Sequence, residues 1–203
     1  MDVGVKSLAV VADVDGVVLA QVTGVKSLRH AQQRLRAANQ ALARTKPGSG
    51  GRRKAKNRLT RLHARIGNLR ATAAHRLSKQ LATGLTSLTV EDLNVAGMIA
   101  NHSLARALSD AGFGDLGRLL AYKAAWYGCQ LTVADRWYPS SKTCSGCGQL
   151  KPDLTLADRT YRCAVCGLSL DRDVNAAVNL ARWPAQQQAQ HDRQHAPPPP
   201  VAA

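Results

Sequence analysis

The sequence predicts an α/β chain carrying a small metal-bound module, on three observations. Strand-like apolar runs stand at residues 2–12, 17–23, 87–95 and 129–137. Two helix-periodic stretches lie between the second and third runs, and four cysteines in two matched pairs follow the fourth. The chain's 203 residues suit one medium domain, or a domain with an insertion. An apolar content of 45% is enough to pack it, and one Phe with four Tyr makes that core aliphatic.

The chain opens MDVGVKSLAVVADVDG. Val3 to Ala12 is apolar and β-branched, and Asp15-Gly16 is a hairpin turn signal, so residues 2–12 and 17–23 read as paired strands. Asp2 at the head of such a strand is either an exposed first residue or part of a site. The period then changes. Leu28, Ala31, Leu35, Ala38 and Leu42 recur at helical steps, TKPGSGG at 45–51 breaks the pattern, and Leu59, Leu62, Ile66, Leu69, Ala73, Leu77 and Leu81 resume it. Two such stripes around a short loop make an antiparallel helical hairpin.

The hairpin's charge has one sign. Lys26 to Lys79 holds sixteen Lys or Arg and no Asp or Glu. A solvated helix face normally mixes acids with bases. Here the repulsion stays unrelieved until an anion arrives, which favours nucleic-acid contact, with Arg52, Arg53, Lys54, Lys56 and Arg58 as its densest run. The net charge of +15 and pI near 10.3 point to polyanions for the same reason. No apolar run approaches the roughly 20 residues that span a bilayer, and the start lacks a secretory pattern. Unmatched to disulfide use, the cysteines suit a reducing compartment, and the expectation is a cytoplasmic, nucleoid-associated protein.

Beyond the hairpin, SLTVEDLNV (87–95) reads as a strand, 103–127 as a helix interrupted at Gly112 and Gly114, and CQLTVADRW (129–137) as another strand. DVNAAVNLAR (173–182) is a helix opened by an acid. From Pro184 on, the Gln/Pro/Ala-rich sequence has no core pattern and is expected to be disordered. No internal repeat is visible.

Cys144, Cys147, Cys163 and Cys166 form two Cys-x-x-Cys pairs fifteen residues apart, the spacing of a four-thiolate zinc site. A closed tetrahedral site of this kind is structural, replacing the core that about thirty residues cannot build. A redox dithiol would not need two matched pairs. Cys129, the fifth, reads as a small buried apolar residue.

Asp2, Glu91 and Asp173 occupy settings that suit two-metal phosphodiester chemistry: one strand aspartate, one strand-end glutamate, one acid at a helix head. Each has a plainer alternative, respectively an exposed terminus, an ordinary strand end and a helix N-cap. Asp92 and Asp171 compete for two of the three places.

The runs MDVGVKSLAV, VEDLNVAGMIANHSLARALSDAGF, LLAYKAAWYG, DRWYPSSKTCSGCG and LDRDVNAAVNLAR resemble the transposon-encoded TnpB proteins, relatives of compact type V CRISPR effectors, over nearly all of residues 1–183. The resemblance implies an RNase H-like (RuvC) mixed sheet, a basic helical hairpin inserted after the first strands, and a zinc ribbon before the last helix. It implies catalytic ligands for two Mg²⁺ ions at Asp2, Glu91 and Asp173, and zinc ligands at the four paired cysteines. The activity implied is RNA-guided DNA cleavage, with base pairing choosing the sequence. Arg172, beside the last acid, is placed either to neutralise phosphate charge or as an ordinary surface arginine. The resulting division is 1–25, 83–138 and 170–183 for the RuvC-like parts, 26–82 for the hairpin, 139–169 for the ribbon and 184–203 for the tail.

Family members also carry a long N-terminal part that binds guide RNA and target duplex, and this sequence resembles only the C-terminal half. The reading is therefore the nuclease portion of a longer protein, whether as a truncated product, a misassigned start or an expressed fragment. Its rivals are a catalytically inactive zinc-ribbon module that binds nucleic acid, and a transposase that itself joins DNA strands. Nothing in the sequence gives the oligomeric state.

Overall fold

Residues 2–12, expected as one strand, fold back on themselves. The computed structural model describes residues 1–155 and 157–194. In it Asp2 pairs antiparallel with Val10 through two backbone hydrogen bonds of 2.9 Å, and the chain reverses between them. A Cβ on Gly4 would stand 3.2 Å from the Ser7 carbonyl oxygen, so the reversal favours a glycine there. Hydrophobic pattern alone could not reveal this, because both limbs are apolar and β-branched.

After the reversal, β1 (Ala9–Ala12) and β2 (Val18–Val22) form an antiparallel hairpin, irregular between Val11 and Ala12. Asp13 Oδ1 accepts the amides of Asp15 and Val17 in the turn. Two long helices follow: α1 (Ser27–Ala43) and α2 (Gly50–Gly84), joined through residues 44–49. Ser49 Oγ caps α2 by accepting the Arg52 amide at 3.1 Å. β3 (Ser87–Glu91) then leads through α3 (Val95–Ile99), α4 (Ala105–Ala111) and α5 (Phe113–Tyr127) to β4 (Gln130–Ala134). Gly112, at φ 67°, separates α4 from α5. β3 and β4 run parallel, from Ser87 opposite Gln130 to Glu91 opposite Ala134. β5 (Thr160–Arg162) and β6 (Ser169–Asp171) are a short antiparallel pair in the cysteine region, and α6 (Arg172–Gln194) follows directly.

Among the described residues the strands form three pairs. Two of the pairs are joined through Met1–Asp2. Asp2 bonds to β1, and the Met1 ammonium donates to the Thr89 carbonyl of β3 at 2.6 Å. Parallel and antiparallel pairings thus meet around Asp2.

β1 is buried on both faces, which explains its unbroken apolar run. Ala9 and Val11 face Leu77 and Leu81 of α2 and Leu116 and Leu120 of α5. Val10 and Ala12 pack with Val174, Ala177 and Val178 of α6. The helical pair is fixed to this core at one end by a carboxylate. Asp110 of α4 accepts the amides of Leu28 (2.9 Å) and Arg29 (3.2 Å) and the Ser27 hydroxyl, capping α1 from another element.

α6 runs past the place where a disordered tail was expected. It continues through Pro184 to Gln194. The Tyr138 ring lies 4.4 Å from that of Trp183, and its hydroxyl bonds to Gln186 at 3.2 Å. Proline forfeits one helical hydrogen bond, which these contacts and the helix-favouring Ala and Gln offset. The rest of the expected tail, 195–203, lies outside the described residues. Among the described residues no helix is long and apolar enough to cross a membrane.

Candidate active site and metal centre

The carboxyl end of β3 delivers Glu91, the first turn of α6 delivers Asp173, and the pairing with β1 holds Asp2 between them. All three line one cavity of about 990 Å³. Burial, then Glu91 and Asp173 nearby, push the Asp2 carboxyl well above the usual carboxylate range. Burial raises Glu91 too, opposed by the Ser140 hydroxyl, which donates to Glu91 Oε1 at 2.6 Å. The Met1 ammonium beside them is pushed down to about 6 by the same burial. Asp173 pairs with Arg172 at 3.3 Å, both side chains largely shielded from solvent.

The competing acids have other partners. Asp171 Oδ1 accepts the amides of Asp173 and Val174, so Asp171 is the cap of α6 and Asp173 is left to the cavity. Asp92 pairs with Arg136 at 2.8 Å on the surface.

The four paired cysteines form a tighter group. Their sulfurs lie within 4.8 Å of one another, with Cys144–Cys166 and Cys147–Cys163 each at 3.6 Å. Tetrahedral zinc–thiolate bonds of about 2.3 Å put sulfurs about 3.8 Å apart, so the donor set fits a metal such as zinc. The Cys166 amide helps pull the Cys163 thiol down to about 6, whereas burial raises Cys144 and Cys147 is pushed up to about 12 among its neighbours, so one thiolate is favoured before a metal arrives. Tyr161, fully buried, fills the module's interior with Leu154 and donates its hydroxyl to the Gln149 carbonyl at 3.1 Å. Among the described residues no other set of three or more His, Cys, Asp or Glu donors converges this closely. Cys129 is buried in the main core, as its setting suggested.

The five predicted hairpin cations divide. Arg52 is committed to the loop, its guanidinium donating to the Leu42 and Thr45 carbonyls at 3.4 and 3.3 Å. Arg53, Lys54, Lys56 and Arg58 are exposed on the first turns of α2 and do not line the carboxylate cavity.

Two family models match the chain: "Probable transposase" (OrfB of the IS605 type) over residues 1–102, and "Cas12f1-like, TNB domain" over residues 113–180. The chain belongs to the TnpB family. A relative from Streptomyces pristinaespiralis, named "Putative RNA-guided DNA endonuclease", is 40% identical over 180 residues, covering 89% of this chain and 43% of its own length. Another of that description, from Mycobacterium tuberculosis (strain ATCC 25618 / H37Rv), is 41% identical over 189 residues, covering 90% and 41%. The fold matches a solved Cas12f1–sgRNA–target DNA complex with a TM-score of 0.61 at 20% identity, over 88% of this chain and 48% of that one. The chain thus spans less than half the length of these relatives.

This TnpB chain also has a cationic rim that sequence reading largely missed. Lys6, Lys26, Arg29, Arg106, Arg159 and Arg172 line the same cavity as the three acids. Arg172 was singled out only through its neighbour. The others are scattered along the chain between Lys6 and Arg159, and no sequence window gathers them.

Proposed function

We propose that this chain carries the nuclease portion of a TnpB-type RNA-guided DNA endonuclease on an RNase H-like (RuvC) scaffold. The observation that carries this is that Asp2, Glu91 and Asp173, from three distant stretches, line one cavity rimmed by cations, although they do not converge as closely as the cysteine sulfurs. Parallel pairing on one side of Met1–Asp2 and antiparallel pairing on the other support the scaffold assignment. DNA is the proposed substrate and guide RNA the proposed partner of the family-length protein, with α1 and α2 as the inserted basic hairpin. Zinc at the four cysteines is structural.

Three carboxylates on separate elements, two of them pushed by burial to hold their protons more tightly than usual, suit Mg²⁺ ions, which would offset the cost of keeping them charged there. Bound there, the ions supply Lewis-acid activation of water and charge neutralisation at the leaving oxygen. The chain's own residues do the rest. Asp2 and Glu91 are held from both sides of the strand junction, while the Asp171 cap orients Asp173. Lys26, Arg29, Arg159 and Arg172 draw the phosphodiester backbone into the cavity.

The test is cleavage of single-stranded DNA by the purified chain with Mg²⁺ or Mn²⁺. Glu91→Gln and Asp173→Ala are expected to reduce the rate by more than the roughly 100-fold lost with an outer partner of a metal ligand. Binding without metal-dependent cleavage would overturn the nuclease reading and leave a nucleic-acid-binding module; joined strands would indicate a transposase. Neutralising Arg53, Lys54, Lys56 and Arg58 should weaken DNA binding and flatten its salt dependence, by about 0.7 for each phosphate of the single strand that is no longer neutralised. An unchanged slope removes the hairpin from the interface.

A further inference from the structure

Ser140 stands where the two candidate metal regions meet. It is buried, 4% exposed, and each of its polar groups is used. Its hydroxyl donates to Glu91 Oε1 at 2.6 Å, its amide donates to the Tyr138 carbonyl at 2.8 Å, and its carbonyl accepts Asn179 Nδ2 at 2.7 Å. Asn179 therefore holds both Ser140 and the cysteine module, because the same Nδ2 also donates to the Thr143 carbonyl at 2.7 Å. One turn earlier on α6, Asn175 Nδ2 donates to that carbonyl at 2.7 Å, and its Oδ1 accepts the Ser145 amide at 2.9 Å. Arg182 also donates to the Ser145 carbonyl.

Asn175 and Asn179 are 0% and 2% exposed, so these bonds are made away from water. An unpaired amide in such a place is costly, which forces α6 and the Cys144 turn to move together. The turn between Ser140 and Cys144 is closed as well, with the Pro139 carbonyl accepting the amides of Lys142 and Thr143 at 3.0 Å. A continuous set of buried and partly buried hydrogen bonds thus runs from the first cysteine pair through Asn179 and Ser140 to Glu91.

We propose that Ser140 is a positioning residue that couples the cysteine module to the carboxylate cavity: it fixes the Glu91 carboxylate, and the cavity's affinity for divalent ions depends on the module being folded. The proposal rests on the reading of Glu91 as a divalent-ion ligand. Glutamate has three side-chain torsions to fix, and the bond to Oε1 fixes the carboxylate while leaving Oε2 for an ion. Outer partners of this kind are worth about 10–100-fold in metal affinity.

The experiment titrates Mn²⁺, followed by its electron paramagnetic resonance signal, into the zinc-loaded chain without nucleic acid. Ser140→Ala should weaken Mn²⁺ binding about 10–100-fold while one zinc per chain is retained, and Ser140→Thr should restore it. Cys163→Ser, lacking zinc, should weaken Mn²⁺ binding as well. If Ser140→Ala binds Mn²⁺ like the parent while Glu91→Gln does not, Ser140 is only a buried polar residue and the coupling is wrong. If Glu91→Gln also binds like the parent, the ligand assignment under the proposed function falls, and this proposal with it. Parent-like binding by Cys163→Ser overturns the link to the module. Should Ser140→Ala not fold, Ser140→Thr and Ser140→Val share one shape and differ in the hydroxyl: tighter binding by the Thr variant supports the proposal, and equal binding overturns it.

Discussion

The cysteine module and the carboxylate cavity gather their donors by opposite means. Each cysteine pair sits on its own turn, and the two turns meet within one short stretch, which puts sulfurs of opposite pairs 3.6 Å apart. Asp2, Glu91 and Asp173 are supplied by a strand junction, a strand end and a helix head, and only tertiary packing brings them to one cavity. The acids also resist being gathered: burial and mutual repulsion raise Asp2 and burial raises Glu91. A thiol brought close can wait as the neutral thiol, whereas a carboxylate at neutral pH must keep its charge or take up a proton. The difference leads to an expectation: the module should need a metal in order to fold, while the cavity should need the fold in order to hold one.

The largest expected effect breaks the module alone. Its interior is Leu154, Tyr161 and two of the cysteines, too little to order about thirty residues without an ion. Structural zinc contributes about 10–16 kcal/mol in small modules. Cys163→Ser should abolish zinc binding and leave amides of residues 143–171 exchanging at unfolded rates. α1 and α2, anchored by Asp110, Leu77 and Leu81 rather than by the module, should keep their protection. Hydrogen exchange followed by mass spectrometry reads both regions at once. Simultaneous loss of protection in both would show that the module is not a separate unit.

The same contrast decides what the sequence could reveal. Cys144, Cys147, Cys163 and Cys166 were legible because spacing is itself their geometry. The helical pair was legible because its stripes follow a period, although Leu69 stands 49% exposed and serves no core. The three acids could be named individually, yet their cavity could not be derived from spacing, and the resemblance to a known family supplied their association. The resemblance alone favours Asp173 over Asp171, since either acid fits a helix start; the cap made by Asp171 is visible only in the structure. The reversal at Gly4 was hidden inside an unbroken apolar run. Asn175, Asn179 and Ser140 were illegible for a different reason: polar residues in a helix and a loop signal nothing until their partners, about thirty or more positions away, are known.

The smallest effect sharpens the comparison most, because it measures the strain on the acids without any enzymatic assay. A carboxyl whose pKa is raised on folding binds its proton more tightly in the native chain. Stability then falls as pH rises from the ordinary carboxylate value through the raised one, and the penalty is fully present above it. Asp2→Asn removes the charge and keeps the shape. In the absence of divalent ions at pH 7.5, the variant should melt higher than the parent by about 2–4 °C, which corresponds to roughly 1 kcal/mol. The gap should close near pH 4, where Asp2 is protonated in the folded parent and half-protonated in the unfolded chain. Saturating Mg²⁺ should reverse the order, since ions bound only by the native parent stabilise it by mass action. A variant no more stable than the parent at pH 7.5 would mean that neither burial nor Glu91 and Asp173 press on Asp2. The acids would then carry no charge penalty for metal ions to relieve, and the contrast with the cysteines would lose its electrostatic half.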